Sequence, residues 1–184
     1  MPPKVKVTKE DIISAAVDIV RKNGETAINA RTVAAALNCS TQPVFSNFAT
    51  MEELRSAVLN VAEEIYGEYT KREVQSGKYP EYKAAGMAYI RFAKEEKELF
   101  KLLYMRDRSD EVIPAFSEEL AQMVKTNTGL NDKSAELFHL EIWACVHGIA
   151  TMMATNYLEL DTELVSGIIT DVYQGLKTRY RSKE

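Results

Sequence analysis

The side chains of this 184-residue chain best suited to chemistry fall into two groups, one arguing against catalysis and one arguing for recognition. His139 and His147 stand eight residues apart with Trp143 midway between them, a spacing that matches no H-E-x-x-H zinc site. Cys145 lies two residues before His147, so the two project from different sides of any helix that carries them. The adjacent acids Glu95 with Glu96 and Glu118 with Glu119 diverge by about 100° around a helix and read as solvated charges, not as paired carboxylates. No glycine-rich phosphate loop and no G-x-S-x-G turn is present. Catalytic residues, a metal site and a cofactor are therefore not expected, and the chain reads as a non-enzyme. The second group is Ser40, Thr41, Gln42, Pro43, Phe45, Ser46 and Asn47, with Arg31 just upstream. It is rich in short hydrogen-bonding side chains. The Gln42 amide has the donor and acceptor that pair with adenine, and Arg31 suits a guanine edge or a phosphate.

To present such residues the chain needs two short helices around a tight turn. Asn29 can cap a helix starting at Ala30, along which Val33, Ala34 and Leu37 recur at helical spacing and face a core. Asn38 suits the left-handed conformation that ends a helix, and Ser40 is a good cap for the next. Pro43 is tolerated in a first turn, where N–H groups have no intrahelical partner. Val44 and Phe48 are expected to anchor this second helix inward and leave the polar side chains outward. The second helix of such a helix-turn-helix enters a DNA major groove.

From about Thr8 to Ile65 the chain resembles the DNA-binding domain of the TetR (tetracycline repressor) family of bacterial transcription regulators. The resemblance is carried by a first helix capped at Thr8 and closed by Gly24, the string Arg31-x-x-Ala34-x-x-Leu37, the segment Ser40 to Phe48, and the Thr50-Met51-Glu52-Glu53-Leu54 opening of a fourth helix. It implies that Thr41, Gln42 and Pro43 face bases, with Ser46 and Asn47 a turn later. Lys4 and Lys6 on the N-terminal arm would add sequence-independent charge. At two positions the chain departs from the family. Phe45 stands where the family usually has tyrosine and Met51 where it usually has lysine, and both family residues commonly hold the DNA backbone. Weak or unusually shaped DNA binding is the expectation. The same departures motivate an alternative, a TetR-fold protein that acts through a protein partner with weakened DNA binding.

The rest of the chain reads as helix almost throughout, so the expected fold class is all-α with about nine helices. Residues 1–50 would form a three-helix helix-turn-helix DNA-binding domain and residues 51–184 a helical effector-binding and dimerisation domain. Thr50 and Glu53 repeat the capping pattern of Thr8 and Asp11, and Pro114 suits the first turn of a seventh helix. A fourth helix of roughly 25 residues spans about 37 Å and suits a lever between the two domains. Net charge is −4, yet residues 1–60 hold seven basic against six acidic residues, leaving the excess of acid to the remainder. That distribution has the sign expected of an N-terminal DNA-binding head. Cys39 and Cys145 read as small core residues without a disulfide. With no signal-like start and no run of about 18 apolar residues, the expected location is the cytoplasm, without a membrane partner.

In the eighth helix, Trp143 to Gly148 resembles the Trp-x-x-x-His-Gly element of a TetR C-terminal subgroup. His139, Trp143 and His147 share one face, a line of rings expected to look inward. A second stripe holds the small residues Ala144, Gly148, Thr151 and Thr155, and the last helix offers Gly167 and Gly175. Small residues let another backbone approach closely, and the resemblance implies that these stripes build a homodimer from the last two helices of each subunit. It also implies a palindromic double-stranded operator and an unidentified small-molecule effector. For the effector, Tyr89, Phe92, Tyr104, Met105, Met123, Trp143 and His147 suggest a pocket for a largely apolar or aromatic ligand.

Overall fold

A computed structural model describes residues 7–107, 109 and 118–181. Among these the chain forms nine α-helices and no strand: α1 Lys9–Asn23, α2 Ala30–Ala36, α3 Gln42–Asn47, α4 Met51–Gln75, α5 Glu81–Glu95, α6 Lys97–Tyr104, α7 Glu118–Thr128, α8 Asp132–Ala154 and α9 Thr162–Arg181. A short 3-10 turn, Glu25–Ala27, joins α1 to α2. The all-α expectation holds. Lys4, Lys6 and Pro114 lie outside the described residues.

Helix ends follow local side-chain chemistry. The Thr8 hydroxyl accepts the Asp11 N–H at 3.1 Å while the Asp11 carboxylate accepts the Thr8 N–H at 2.9 Å. Those bonds, first to the Thr8 backbone and then to its hydroxyl, hold the Asp11 carboxyl below its usual pKa. The α1 helix buries Ile12, Ala16, Val17, Ile19 and Val20. It ends at Gly24, whose φ of 78° and ψ of 171° are reached almost only by glycine. The Asn29 side chain caps α2 by accepting from the N–H groups of Arg31 and Thr32, at 3.0 and 3.1 Å. Asn38 takes the positive φ, 51°, that turns the chain out of α2. At α4 the Thr50 hydroxyl accepts the Glu53 N–H at 3.1 Å, but the Glu53 carboxylate reaches back to the N–H of Ala49, not to that of Thr50.

The described residues form two compact units. The first takes the residues through Gly67 together with Glu96–Arg106, so α6 belongs with the helix-turn-helix and packs on α1. Leu99, Phe100, Leu102 and Leu103 of α6 are buried. Arg21 of α1 clasps Glu96 with two parallel hydrogen bonds, 2.9 and 2.8 Å. Tyr104 packs against Tyr66 and Phe100.

The second unit holds Glu68–Glu95 and the described residues from Asp107 onward. Its central contact is α5 on α8, with α7 and α9 also packed on α8. Gly86 faces Val146 at that contact, where a Cβ would stand 3.4 Å from a Val146 methyl, in ordinary van der Waals contact. By length and mean hydropathy α8 is apolar enough to cross a membrane, a test that the buried core helix of a globular unit also passes. Ala135, Phe138, His139, Ile142, Val146, Ile149 and Ala150 are buried, and α8 serves as the core helix on which its neighbours pack.

Candidate nucleic-acid interface and ligand cleft

The helix-turn-helix is anchored from within by Val33, Ala34, Val44 and Phe48, all under 5% exposed. Burying those four orients the rest. Ser40, Gln42, Phe45 and Ser46 are exposed, and Thr41, Pro43 and Asn47 are half-buried. One detail differs from expectation. Thr41, not Ser40, is the residue preceding α3, its backbone is already helical, and no side chain caps the helix. With Gln42 as the first helical residue, Pro43 occupies the second position, where its missing N–H still costs nothing. The Ser46 hydroxyl donates to the Gln42 carbonyl at 2.9 Å and the Asn47 amide to the Pro43 carbonyl at 2.8 Å. Gln42 makes no side-chain bond to a described residue, and exposed Arg31 carries no ion pair there. The outward face is therefore polar, with Phe45, 57% exposed, as its large apolar member. Met51 is half-buried at the start of α4, followed by Glu52 and Glu53.

In the second unit two tyrosine–histidine pairs join α5 to α8. Tyr82 Oη and His139 Nδ1 share a hydrogen bond at 2.8 Å, and Tyr89 Oη and His147 Nδ1 share one at 2.9 Å. Burial pushes both imidazoles below the usual histidine pKa. Burial, with Tyr173 nearby, pushes the Tyr82 phenol well above its own. Beside the Tyr82–His139 pair lies a cleft of about 450 Å³ lined from α5, α7, α8 and α9. Its walls are apolar at Gly86, Ile142, Val146 and Ile169, and its polar groups include Lys83, Tyr173 and Lys177. None of the seven residues expected to line an effector pocket lines this cleft. Tyr89 and Phe92 are buried core residues. Tyr104 and Met105 belong to the first unit, and Met123 is half-buried on α7. Trp143 and His147 stack face to face, 4.8 Å between centroids and 13° between planes. Trp143 is nevertheless 44% exposed, so the line of rings does not look wholly inward as expected. Tyr82, Lys83, Tyr173 and Lys177 went unrecognised as site residues. The one sequence signal was Lys83, a cation directly before the apolar stretch 84–90. Among the described residues no cluster of three His, Cys, Asp or Glu side chains is placed to hold a metal. The two thiols are free, and both are half-buried rather than core.

The sequence model of the tetracyclin repressor-like C-terminal domain matches residues 82–169, the stretch that contains α5, α8 and the Trp143-x-x-x-His147-Gly148 element. Over that stretch the chain is similar to the TetR-like C-terminal domain. Solved TetR-like proteins share its fold. A TetR-like transcriptional regulator from Rhodococcus sp. RHA1 is 17% identical over 100% of both chains, with a TM-score of 0.66. A TetR family member from Streptomyces coelicolor A3 is 19% identical over 89% of this chain and 96% of its own, with a TM-score of 0.60. The multidrug binding protein EbrR, solved in complex with imidazole, is 19% identical over 89% of this chain and 93% of its own, with a TM-score of 0.57. No curated protein matches in sequence.

On this TetR-like chain the small-residue stripes stand open. Ala144, Thr155, Gly167 and Gly175 are exposed and Gly148 and Thr151 half-buried. A Cβ at Gly148, Gly167 or Gly175 would meet nothing within 4 Å. The Thr151 hydroxyl is buried without a hydrogen-bond partner among the described residues, whereas the Thr155 hydroxyl donates to the Thr151 carbonyl at 2.8 Å. Leu137, Leu140 and Trp143 on α8 and Leu164 on α9 are large apolar side chains left at 42–50% exposure.

Proposed function

We propose that this protein is a cytoplasmic, homodimeric repressor that binds a palindromic DNA operator and is released from it by a small, largely apolar or aromatic ligand. The observation that carries the DNA reading is the face of α3. Gln42 and Ser46 are exposed on a helix fixed from beneath by Val44 and Phe48, beside an exposed Arg31 that has no ion pair among the described residues. Polar groups dominate that face, and a protein-docking surface would be expected to be apolar. This favours DNA over the alternative of a protein partner. Residues 1–50 are assigned the DNA contacts, Lys4 and Lys6 among them, and residues 51–184 the ligand and the dimer.

Two-fold symmetry follows from the DNA chemistry, since two recognition helices must meet half-sites about 34–36 Å apart or a multiple of it. The open small residues of α8 and α9, bordered by exposed Leu137, Leu140 and Leu164, supply a surface suited to a second copy. A ligand-responsive role is supported by the cleft in the second unit and by the imidazole-bound multidrug binding protein with this fold. Ligand binding would act through α4, which contributes to both units, by favouring a dimer whose recognition helices no longer fit the operator.

The test is selection from a random duplex library at low salt. Enrichment of a palindrome with one-turn half-site spacing is the expected result. Folded, dimeric protein that enriches no sequence would overturn the operator reading and favour the protein-partner alternative.

A further inference from the structure

We infer that the cleft between α5, α8 and α9 binds a small amphipathic carboxylate, its charged end drawn by the field of Lys83 and Lys177 and its apolar body along Ile142, Val146 and Ile169. This deepens the ligand-release reading and rests on it for its regulatory meaning, though not for the binding itself.

The inference starts from charge. The chain has more acidic than basic residues, 27 against 23. The twelve residues lining this cleft nevertheless include two lysines and no aspartate or glutamate. Neither ammonium has a carboxylate within 4.0 Å among the described residues. Lys83 donates instead to the hydroxyls of Ser166 and Thr170, both at 2.7 Å, and stands over the Tyr79 ring at 4.8 Å. The Thr170 hydroxyl donates its own hydrogen bond to the Ser166 carbonyl at 2.9 Å. Lys177 donates to the Asn127 carbonyl at 3.3 Å and lies near the Tyr173 ring. Neutral acceptors thus hold both cations in place without neutralising them. An ammonium whose hydrogen-bond acceptors are hydroxyls and a carbonyl keeps its net charge and its attraction for an anion.

The remaining groups narrow the ligand class. Tyr173 and Gln174 line the cleft and make no side-chain hydrogen bond to a described residue, so each has a donor to offer. The Tyr173 ring lies 6.2 Å from the Tyr82 ring and completes an aromatic wall. Ile142, Val146 and Ile169 also line the cleft, aliphatic side chains that an inorganic anion would leave uncovered and an alkyl or aryl body would cover. A cleft of about 450 Å³ is within the size range of sites for small organic ligands.

The test is calorimetric titration of the intact protein, without DNA, with three carboxylates: 2-naphthoate, 4-phenylbutanoate and decanoate. Each is paired with the alcohol in which CH₂OH replaces the carboxylate. At least one acid should bind about tenfold or more tightly than its alcohol, and inorganic phosphate should not displace it. Lys83→Gln with Lys177→Gln should abolish that preference, so that acid and alcohol bind alike. Lys83 also ties α5 to α9, so Lys177→Gln alone, with helix content checked by circular dichroism, provides the milder variant and should lose about half of the preference on a logarithmic scale. Equal binding of acid and alcohol across all three pairs, or a preference untouched in both variants, would overturn the inference. Failure here leaves the operator reading to the library selection. An acid that binds through the lysines yet leaves operator affinity unchanged would sustain the cleft and count against ligand release.

Discussion

Replacing Phe45 with tyrosine and Met51 with lysine should restore DNA-backbone contacts that this chain lacks, and the gain can be estimated from the geometry. Phe45 is 57% exposed, so an added hydroxyl enters solvent and disturbs no packing. Met51 is half-buried at the first position of α4, and a lysine stem can follow the same surface while its amine reaches outward. The added cation meets the positive end of the α4 dipole at a cost of about 0.3–1 kcal/mol in stability, offset in part by Glu52 and Glu53 beside it. In a dimer each change counts twice. Two new phosphate contacts from lysine steepen the dependence of log affinity on log salt by about 1.8, so about 12-fold more affinity is gained at 50 mM than at 200 mM salt. Two phenol–phosphate hydrogen bonds of about 1 kcal/mol each add roughly 30-fold at any salt. Fluorescence anisotropy on a selected operator duplex, from 50 to 200 mM salt, reads both terms. A double variant with the parent's slope and the parent's affinity would refute the assignment of these positions to the backbone and the orientation of α3 with it.

Two further outcomes follow. Burial holds His139 and His147, the chain's only histidines, below the usual value, so the unfolded chain takes up protons first as pH falls. Stability is then full above about pH 6.5 and declines below it. Urea midpoints should drop between pH 7.5 and 5.5 in the parent and change much less in a His139→Gln, His147→Gln variant; equal drops would show that other groups titrate. Gly24→Ala should cost about 1–3 kcal/mol, because its backbone conformation suits only glycine and the new methyl would lie 3.2 Å from the Glu98 carboxylate. A change in urea-unfolding free energy below about 0.5 kcal/mol would show that α1 can end another way.

What the sequence revealed and what it hid divide by distance along the chain. The Thr8–Asp11 box, the Asn29 cap and the turn at Asn38 are interactions over two to four residues, written directly in residue type. Even so, the start of α3 shifted by one residue, because Thr41 takes helical angles that a propensity argument cannot distinguish from capping ones. The cleft was illegible for the opposite reason. Lys83 meets Ser166 and Thr170 across 83 and 87 residues, and Tyr82 meets His139 across 57. No periodicity encodes those encounters. The aromatic and methionine residues expected to line a pocket are likewise distributed by the fold in a way spacing does not encode, Phe92 fully buried and Trp143 44% exposed. Nor could spacing reveal that α6, about fifty residues after the helix-turn-helix, closes on α1 through Arg21 and Glu96.

The paired tyrosines and histidines set a mechanical rule for the second unit. Tyr82 and Tyr89 are seven residues apart on α5, and their partners His139 and His147 are eight apart on α8, so the two helices run in the same direction and are pinned at two levels about 11–12 Å apart. Sliding one helix past the other by a turn would break both pins at once and drive Val146 off the notch at Gly86. Shear between α5 and α8 is thereby blocked. The α9 wall is fastened to α5 through an amine on two hydroxyls at its rim, a bond that water can replace. A ligand in the cleft would therefore bear on α9, which α8 also holds through Phe138 with Tyr173 and through Glu141 with Arg179, rather than on the α5–α8 register.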